Sequence, residues 1–286
     1  MSVLSIQSHT AAGHVGNDAA VFCLERLGIP VMAVHTLQFS NHTGRPFQGT
    51  TFDARHLTKV IDGIENFCGF SACNAVLSGY LGKKETGQVV LNAVQKVKKA
   101  NPNALYCCDP VMGDEQSGLF VKEEITDFFI NNALDSADIL TPNQFELEIL
   151  SKKKSETLSQ AIDSAQILRK KHKIGVVAVT SLKIKEISND ETAVLVVADE
   201  GCFYVKTPKI PFKEPLTGTG DMFSAIFLAH LLSGKNTSKS LAFTVSSLFG
   251  IIQKTAANKE RETALIAFQN DLVSPEFLFP AILIEC

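Results

Sequence analysis

The chain has no apolar run approaching the roughly 20 residues needed to cross a bilayer, which leaves a membrane helix without support. It has no marked excess of either charge. Its 27 lysines and arginines against 30 aspartates and glutamates give −3 at pH 7, so neither nucleic acid nor an anionic membrane is an electrostatically favoured partner. Any positively charged site has to be local. No C-x-x-C occurs among the seven cysteines, at 23, 68, 73, 107, 108, 202 and 286, and their spacing is irregular. That argues against zinc and for reduced thiols in a cytoplasmic protein. Met1–Gln7 opens on a strand-like run with no basic segment or cleavage site, so no signal peptide is expected. No repeat, low-complexity tract or linker divides the chain, and a single domain over residues 1–286 is expected.

What is there is an alternation of strands and helices. Short apolar strands are expected at Val3–Gln7, Val31–Leu37, Ala75–Leu77, Leu105–Cys108, Ile139–Leu140 and Val176–Val179. Helical patterns lie between them, at about 18–27, 55–66, 85–100, 123–132, 144 onward and 157–171. Thr192–Ala198 and Cys202–Lys206, joined by Asp199-Glu200-Gly201, read as a hairpin. Two apolar helices follow at about 222–233 and 238–256. This order predicts an α/β fold: an open, mostly parallel sheet with helices on both faces and a late antiparallel edge hairpin. The tail, with Pro275 and Pro280, has no clear assignment.

Polar clusters follow the strand ends: Ser8–Asn17, Gln38–Gly44, Ser78–Gly82, Asp109–Gly113, Thr141–Glu146 and Thr180-Ser181. In an open α/β sheet that edge is where ligands bind. The most pointed stretch is Leu216-Thr217-Gly218-Thr219-Gly220-Asp221, which runs straight into an apolar helix. Glycines at a helix N-terminus present free amides to an anion. Asp221 would stand beside that anion as a general base, the pairing needed for phosphoryl transfer to a hydroxyl. The alternative is a plain helix junction capped by Thr219 or Asp221. Asp109, ahead of Pro110, suits Mg²⁺ beside phosphates, or simply an Asp-Pro turn. Asn143 and Glu146 share a helix face, so Glu146 either completes the Mg²⁺ shell or closes a capping box. Ser8, Thr43 and Tyr80 suit a small neutral substrate, and Lys206 and Lys209 either line a nucleotide or are solvated.

Together these stretches resemble the pyridoxal kinases within the ribokinase-like family. The resemblance is carried by Ser5–His9, Gly13–Asn17, Gln38-Phe39-Ser40-Asn41-His42-Thr43, Leu77–Gly82, Cys108–Gly113, Thr141–Asn143 with Glu146, and Gly218–Asp221. Gln-Phe-Ser-Asn-His-Thr is the most specific of them and argues against hydroxymethylpyrimidine kinases. The resemblance implies ATP and Mg²⁺, often K⁺ as activator, pyridoxal as acceptor and a homodimer. It implies Asp221 as base, with Gly218, Thr219 and Gly220 as anion hole. Ser8, Thr43, Gly44 and Tyr80 would border the pyridine ring. Asp109, Thr141, Glu146, Thr180, Thr207, Pro208, Lys209 and Ile210 would border ATP, with Asp109 and Glu146 toward the metal. Thr180-Ser181 stands where some relatives carry a lysine near the phosphates, and past residue 232 the resemblance weakens. A kinase for pyridoxine or hydroxymethylpyrimidine, and a non-catalytic pyridoxal-phosphate carrier, are the rival readings.

Overall fold

Ala75–Leu77 and Val177–Val179 are apolar without alternation, the pattern of strands covered on both faces, and all six residues are buried. The computed structural model describes residues 1–286. Its first half runs β1 (Ser2–Thr10), α1 (Asn17–Arg26), β2 (Val31–Phe39), β3 (Gly49–Thr51), α2 (Ala54–Cys68), β4 (Cys73–Ser78), α3 (Lys84–Ala100) and β5 (Leu105–Cys108). A small antiparallel flap, β6 (Gly113–Asp114) and β7 (Gly118–Leu119), leads to α4 (Glu123–Phe128). Then come β8 (Ile139–Leu140), α5 (Gln144–Ser151), α6 (Leu158–His172), β9 (Val176–Leu182), β10 (Glu191–Ala198) and β11 (Gly201–Pro208). The chain closes with α7 (Thr219–Leu232), α8 (Thr237–Ala257), α9 (Asn270–Val273) and β12 (Ile282–Ile284).

One sheet takes ten strands in the order β12-β11-β10-β9-β8-β5-β4-β1-β2-β3. The block from β9 to β2 is parallel, and the outer strands on both sides are antiparallel. From β1 the chain moves outward one way through α1 to β2, then returns to β4 and builds the other way. The β1/β4 boundary is therefore the topological switch point, and the crevice beyond its strand ends is the favoured ligand position. The two faces are covered by separate apolar layers. α1, α7 and α8 cover one, with Leu24, Phe223, Phe227 and Leu241 fully buried, and α2 to α6 cover the other, with Leu57, Val94, Phe129 and Leu168.

Several expectations shift. The β10–β11 hairpin forms, but β12 from the tail pairs outside it and supplies the edge. Thr180-Ser181 and Thr207-Pro208 belong to the ends of β9 and β11 rather than to loops beyond them, although Ser181 already turns to φ 56. The helix expected over 123–132 is α-helical only to Phe128 and then widens into a π-helical turn, Phe129–Ala133. Reduced thiols hold for five cysteines only. The β11–β12 register sets Cys202 opposite Ile284, which brings Cys286 to a Cα separation of 5.5 Å from Cys202, and the two are disulfide-bonded. An 84-residue separation hides that pair from any reading of spacing.

Candidate active site

The N-terminus of α7 is capped by Gly218, in the left-handed region at φ 82, and no side chain bonds to the exposed amides. The first intrahelical bond runs from Met222 N–H to Gly218 O, so the N–H groups of Thr219, Gly220 and Asp221 have no helical acceptor. Neither Thr219 nor Asp221 acts as the cap; Gly218 holds that position. Asp221 turns away from its own helix, and its Oδ2 accepts the Gly16 N–H at 2.9 Å. Burial pushes its carboxyl up to about 6, and the Gly16 amide offsets part of that rise. A carboxylate poised there is a better base than an ordinary aspartate.

On the metal side, Asp109 follows β5 and is 5% exposed, with Oδ2 accepting the Ser224 hydroxyl at 3.1 Å. Burial, Glu146 and Asp221 all raise its carboxyl above the usual range, and only the Ser224 hydroxyl opposes them. Thr141, at the end of β8, is 2.8 Å from the same Ser224 oxygen. Asn143 and Glu146 form the capping box: Asn143 Oδ1 accepts Glu146 N–H at 2.9 Å, and Glu146 Oε2 accepts Asn143 N–H at 2.9 Å. Glu146 Oε1 accepts the Met112 amide at 2.8 Å, so this residue staples the Asp109–Gly113 loop to α5. Both of its oxygens accept backbone N–H groups, which fixes the carboxylate between α5 and the Asp109–Gly113 loop.

Asp109 and Glu146 are buried and Asp221 is partly buried, none of the three has an ion-pair partner, and each of them has a raised pKa. Neighbouring carboxylates lacking a counter-charge fit a divalent cation. No cluster of three ligating side chains is present, so the fit is to Mg²⁺ held by one or two carboxylates, water and phosphates.

The acceptor side is built around Gly16. A Cβ there would fall 2.3 Å from Ser8 O, and Gly16 also donates to Asp221, so one glycine joins Ser8 to the base. Tyr80 is half-buried, its phenol raised by burial, and its carbonyl accepts the Thr36 hydroxyl at 3.2 Å. Thr43 and Gly44 are exposed on their loop. Their neighbour His42 lies 3.5 Å from Glu262, which also accepts from the Thr217 hydroxyl at 3.5 Å. Thr180 N–H donates to Pro142 O, Thr207 is buried, and Pro208 and Lys209 are exposed. Lys206 pairs with Glu191 at 3.3 Å.

Sequence reading missed Ser224 and the tail. Beyond Ile210, a cavity of about 600 Å³ is lined by Phe212, by Arg45, Lys213, Lys259 and Arg261, and by Glu214 and Glu260. Arg45 is ion-paired with Glu214, and the remaining basic residues leave a modest positive excess in a chain of net charge −3. Its basic residues come from three segments far apart in sequence, which no local motif announces.

Comparison with known proteins agrees with this fold. The family described as phosphomethylpyrimidine kinase matches residues 18–262. The pyridoxal kinase PdxY of Rubrobacter xylanophilus is 44% identical, over 98% of this chain and 96% of that protein. The chain belongs to the pyridoxal kinase family. The Deinococcus radiodurans pyridoxal kinase PdxY is 41% identical, over 99% of this chain and 97% of its own. Among solved structures, Leishmania donovani pyridoxal kinase in complex with ADP and pyridoxine superposes with a TM-score of 0.91 at 28% identity, covering 99% of both chains. The architecture is thus that of the kinase family, and the gap between Ser8, Asp221 and Asp109 is its candidate active site.

Proposed function

We propose that the chain, acting as one domain, transfers the γ-phosphoryl group of ATP to the 5′-hydroxymethyl oxygen of pyridoxal, giving pyridoxal 5′-phosphate and ADP. The observation that carries this is the N-terminus of α7, with three amides free of helical partners and a carboxylate of raised pKa in the same turn. Asp221 takes the hydroxyl proton as that oxygen bonds to phosphorus. The bond from phosphorus to the bridging oxygen breaks, and its electron pair leaves with ADP. The amides of Gly218–Gly220 face the charge on the transferring group, and positioning plus such electrostatics supplies most of the rate.

Ser8, Tyr80, Thr43 and Gly44 border the acceptor. Thr141, Thr180 and Thr207–Ile210 border the nucleotide, with the basic cavity beside them. Asp109 would hold Mg²⁺ directly or through water, while Glu146 fixes the loop that presents it. The ion would supply positive charge to offset that of the nucleotide phosphates. K⁺ activation and the homodimer rest on the resemblance and the cytoplasmic location on the cysteine pattern, and no residue is assigned to them.

Asp109→Asn keeps the size of the side chain and removes its charge. Its expected result is a higher Mg²⁺ concentration for half-maximal rate, by roughly 10-fold or more, the scale at which metal-site contacts act. An unchanged Mg²⁺ titration would remove Asp109 from the metal.

A second reading, phosphorylation of a related alcohol such as hydroxymethylpyrimidine or pyridoxine, is favoured by the phosphomethylpyrimidine kinase match. ATP-dependent turnover of pyridoxal, pyridoxine, pyridoxamine and hydroxymethylpyrimidine decides between the readings. Pyridoxal is expected to exceed hydroxymethylpyrimidine in kcat/KM by about 100-fold or more, because a site built to hydrogen-bond one substrate leaves polar groups unpaired with the other. Preference for the pyrimidine would overturn the proposal, and no turnover on any of the four would favour the carrier.

A further inference from the structure

The buried stretch of α7, Met222–His230, carries two polar side chains, Ser224 and His230; Ser224 is 1% exposed and lies one turn after Asp221. A buried helical serine or threonine ordinarily returns its hydroxyl to the carbonyl four residues earlier. Thr244 and Thr255 do this in α8, donating to Ser240 O and Ile251 O at 2.7 Å each. Ser224 does not. Its hydroxyl crosses to the sheet edge, to Asp109 Oδ2 at 3.1 Å and Thr141 Oγ1 at 2.8 Å, partners 115 and 83 residues away. Ser224 donates its single proton to Asp109 Oδ2, which leaves the Thr141 hydroxyl as the donor to Ser224.

We propose that Ser224 is a positioning residue for phosphoryl transfer. Its hydroxyl ties the metal-side carboxylate of Asp109 to the helix that carries Asp221. The anion-facing amides, the base and this hydroxyl all belong to α7, so one rigid helix sets both ends of the transfer path. Asp109 follows β5 and Thr141 follows β8, their backbones held by Asp109 N–H to Ser78 O and Thr141 N–H to Cys108 O, while the Ser224 hydroxyl is what links their side chains to α7. The inference rests on the reading of Asp109 as the Mg²⁺ carboxylate.

The test compares Ser224→Ala, Thr141→Val and Asp109→Asn in the full-length protein. The readouts are Mn²⁺ affinity in the presence of ADP by electron paramagnetic resonance, steady-state kinetics and thermal unfolding. Outer partners of metal ligands are worth about 10–100-fold in affinity or activity, so Ser224→Ala is expected to weaken Mn²⁺ binding and lower kcat by at least 10-fold. The pyridoxal KM should stay within about twofold, since Ser224 touches only the metal-side groups in this arrangement. Thr141→Val, which removes only the upstream donor, should act in the same direction, and the double variant should be less than additive. Ser224→Thr, which keeps the donor, should recover most of the Mn²⁺ affinity. If Ser224→Ala lowers the unfolding temperature while Mn²⁺ affinity and kcat stay unchanged, the hydroxyl is only structural and the inference fails. It fails equally if the pyridoxal KM rises along with everything else. If Asp109→Asn itself leaves Mn²⁺ affinity unaltered, the parent reading of Asp109 falls instead.

Discussion

Asp221→Ala is expected to lose roughly 10²–10⁴-fold in kcat, the range that a positioned general base contributes, while ADP and pyridoxal still bind. Asp109 and Glu146 are tied to Ser224 and to backbone amides, whereas Asp221 is the carboxylate that accepts the Gly16 N–H, next to Ser8. With its carboxyl raised from 3.8 to about 6, the base is ionised above that pH and protonated below it. kcat/KM should therefore fall about tenfold per unit as pH drops below 6, and hold level above. The same shift acts on stability with the opposite sense. An acid whose folded pKa lies above its unfolded one binds its proton more tightly when folded, so ionisation costs stability as pH rises from about 4 to 6. Asp221→Asn should thus unfold at a higher temperature than the parent at pH 7, with the gap closing below pH 4. The gain is on the order of 1 kcal/mol, less than full linkage allows because the residue retains some exposure. Near-normal turnover in either variant would take the base assignment away. A lower unfolding temperature in Asp221→Asn would take away the argument from burial.

The fold was legible wherever strands carry enough residues to show a pattern. β5 matches its expected span, and β1, β2, β4 and β9 differ only by extension at their ends. β3, β6, β7 and β12 were not legible, because two or three residues cannot display a period and their pairing depends on where the chain is brought back. The motif at Gly218–Asp221 was readable as chemistry, since glycine at a helix start has a local physical meaning. Whether it was a cap or a cradle was not readable, because that turns on whether a side chain reaches the amides. Glu146 shows a further case: the sequence spacing offered metal and capping box together, and the capping box is present. Ser224, Lys259, Arg261 and Glu262 share one reason for escaping notice. Each acquires its partner through tertiary approach of segments far apart in the chain, and a lone serine in an apolar helix carries no signal of its own.

Gly218→Ala should be the most damaging change that removes no chemical group. At φ 82 a side chain is strained, and its Cβ would fall 1.9 Å from His14 O, a backbone atom that cannot rotate aside. Either the start of α7 or the 13–16 loop has to move. Both movements break the same arrangement, because Gly16 in that loop holds Asp221. Turnover is expected to drop by about 10²–10³-fold, the loss typical of misplacing an oxyanion-type donor, and stability by about 1–3 kcal/mol from strain at a special φ. Gly220→Ala provides the contrast. That residue lies in the first turn of α7 with helical φ and nothing within 4 Å of an added Cβ. Alanine there should leave the unfolding temperature equal or raised, since it lowers unfolded-chain entropy at a compatible site. Parallel melts and kinetics of the two variants separate backbone geometry from loss of a glycine as such. If Gly218→Ala melts with the parent and keeps its rate, the close packing of His14 against Gly218 is not what shapes the cradle. If the two variants are equally destabilised, the left-handed turn is not the cause.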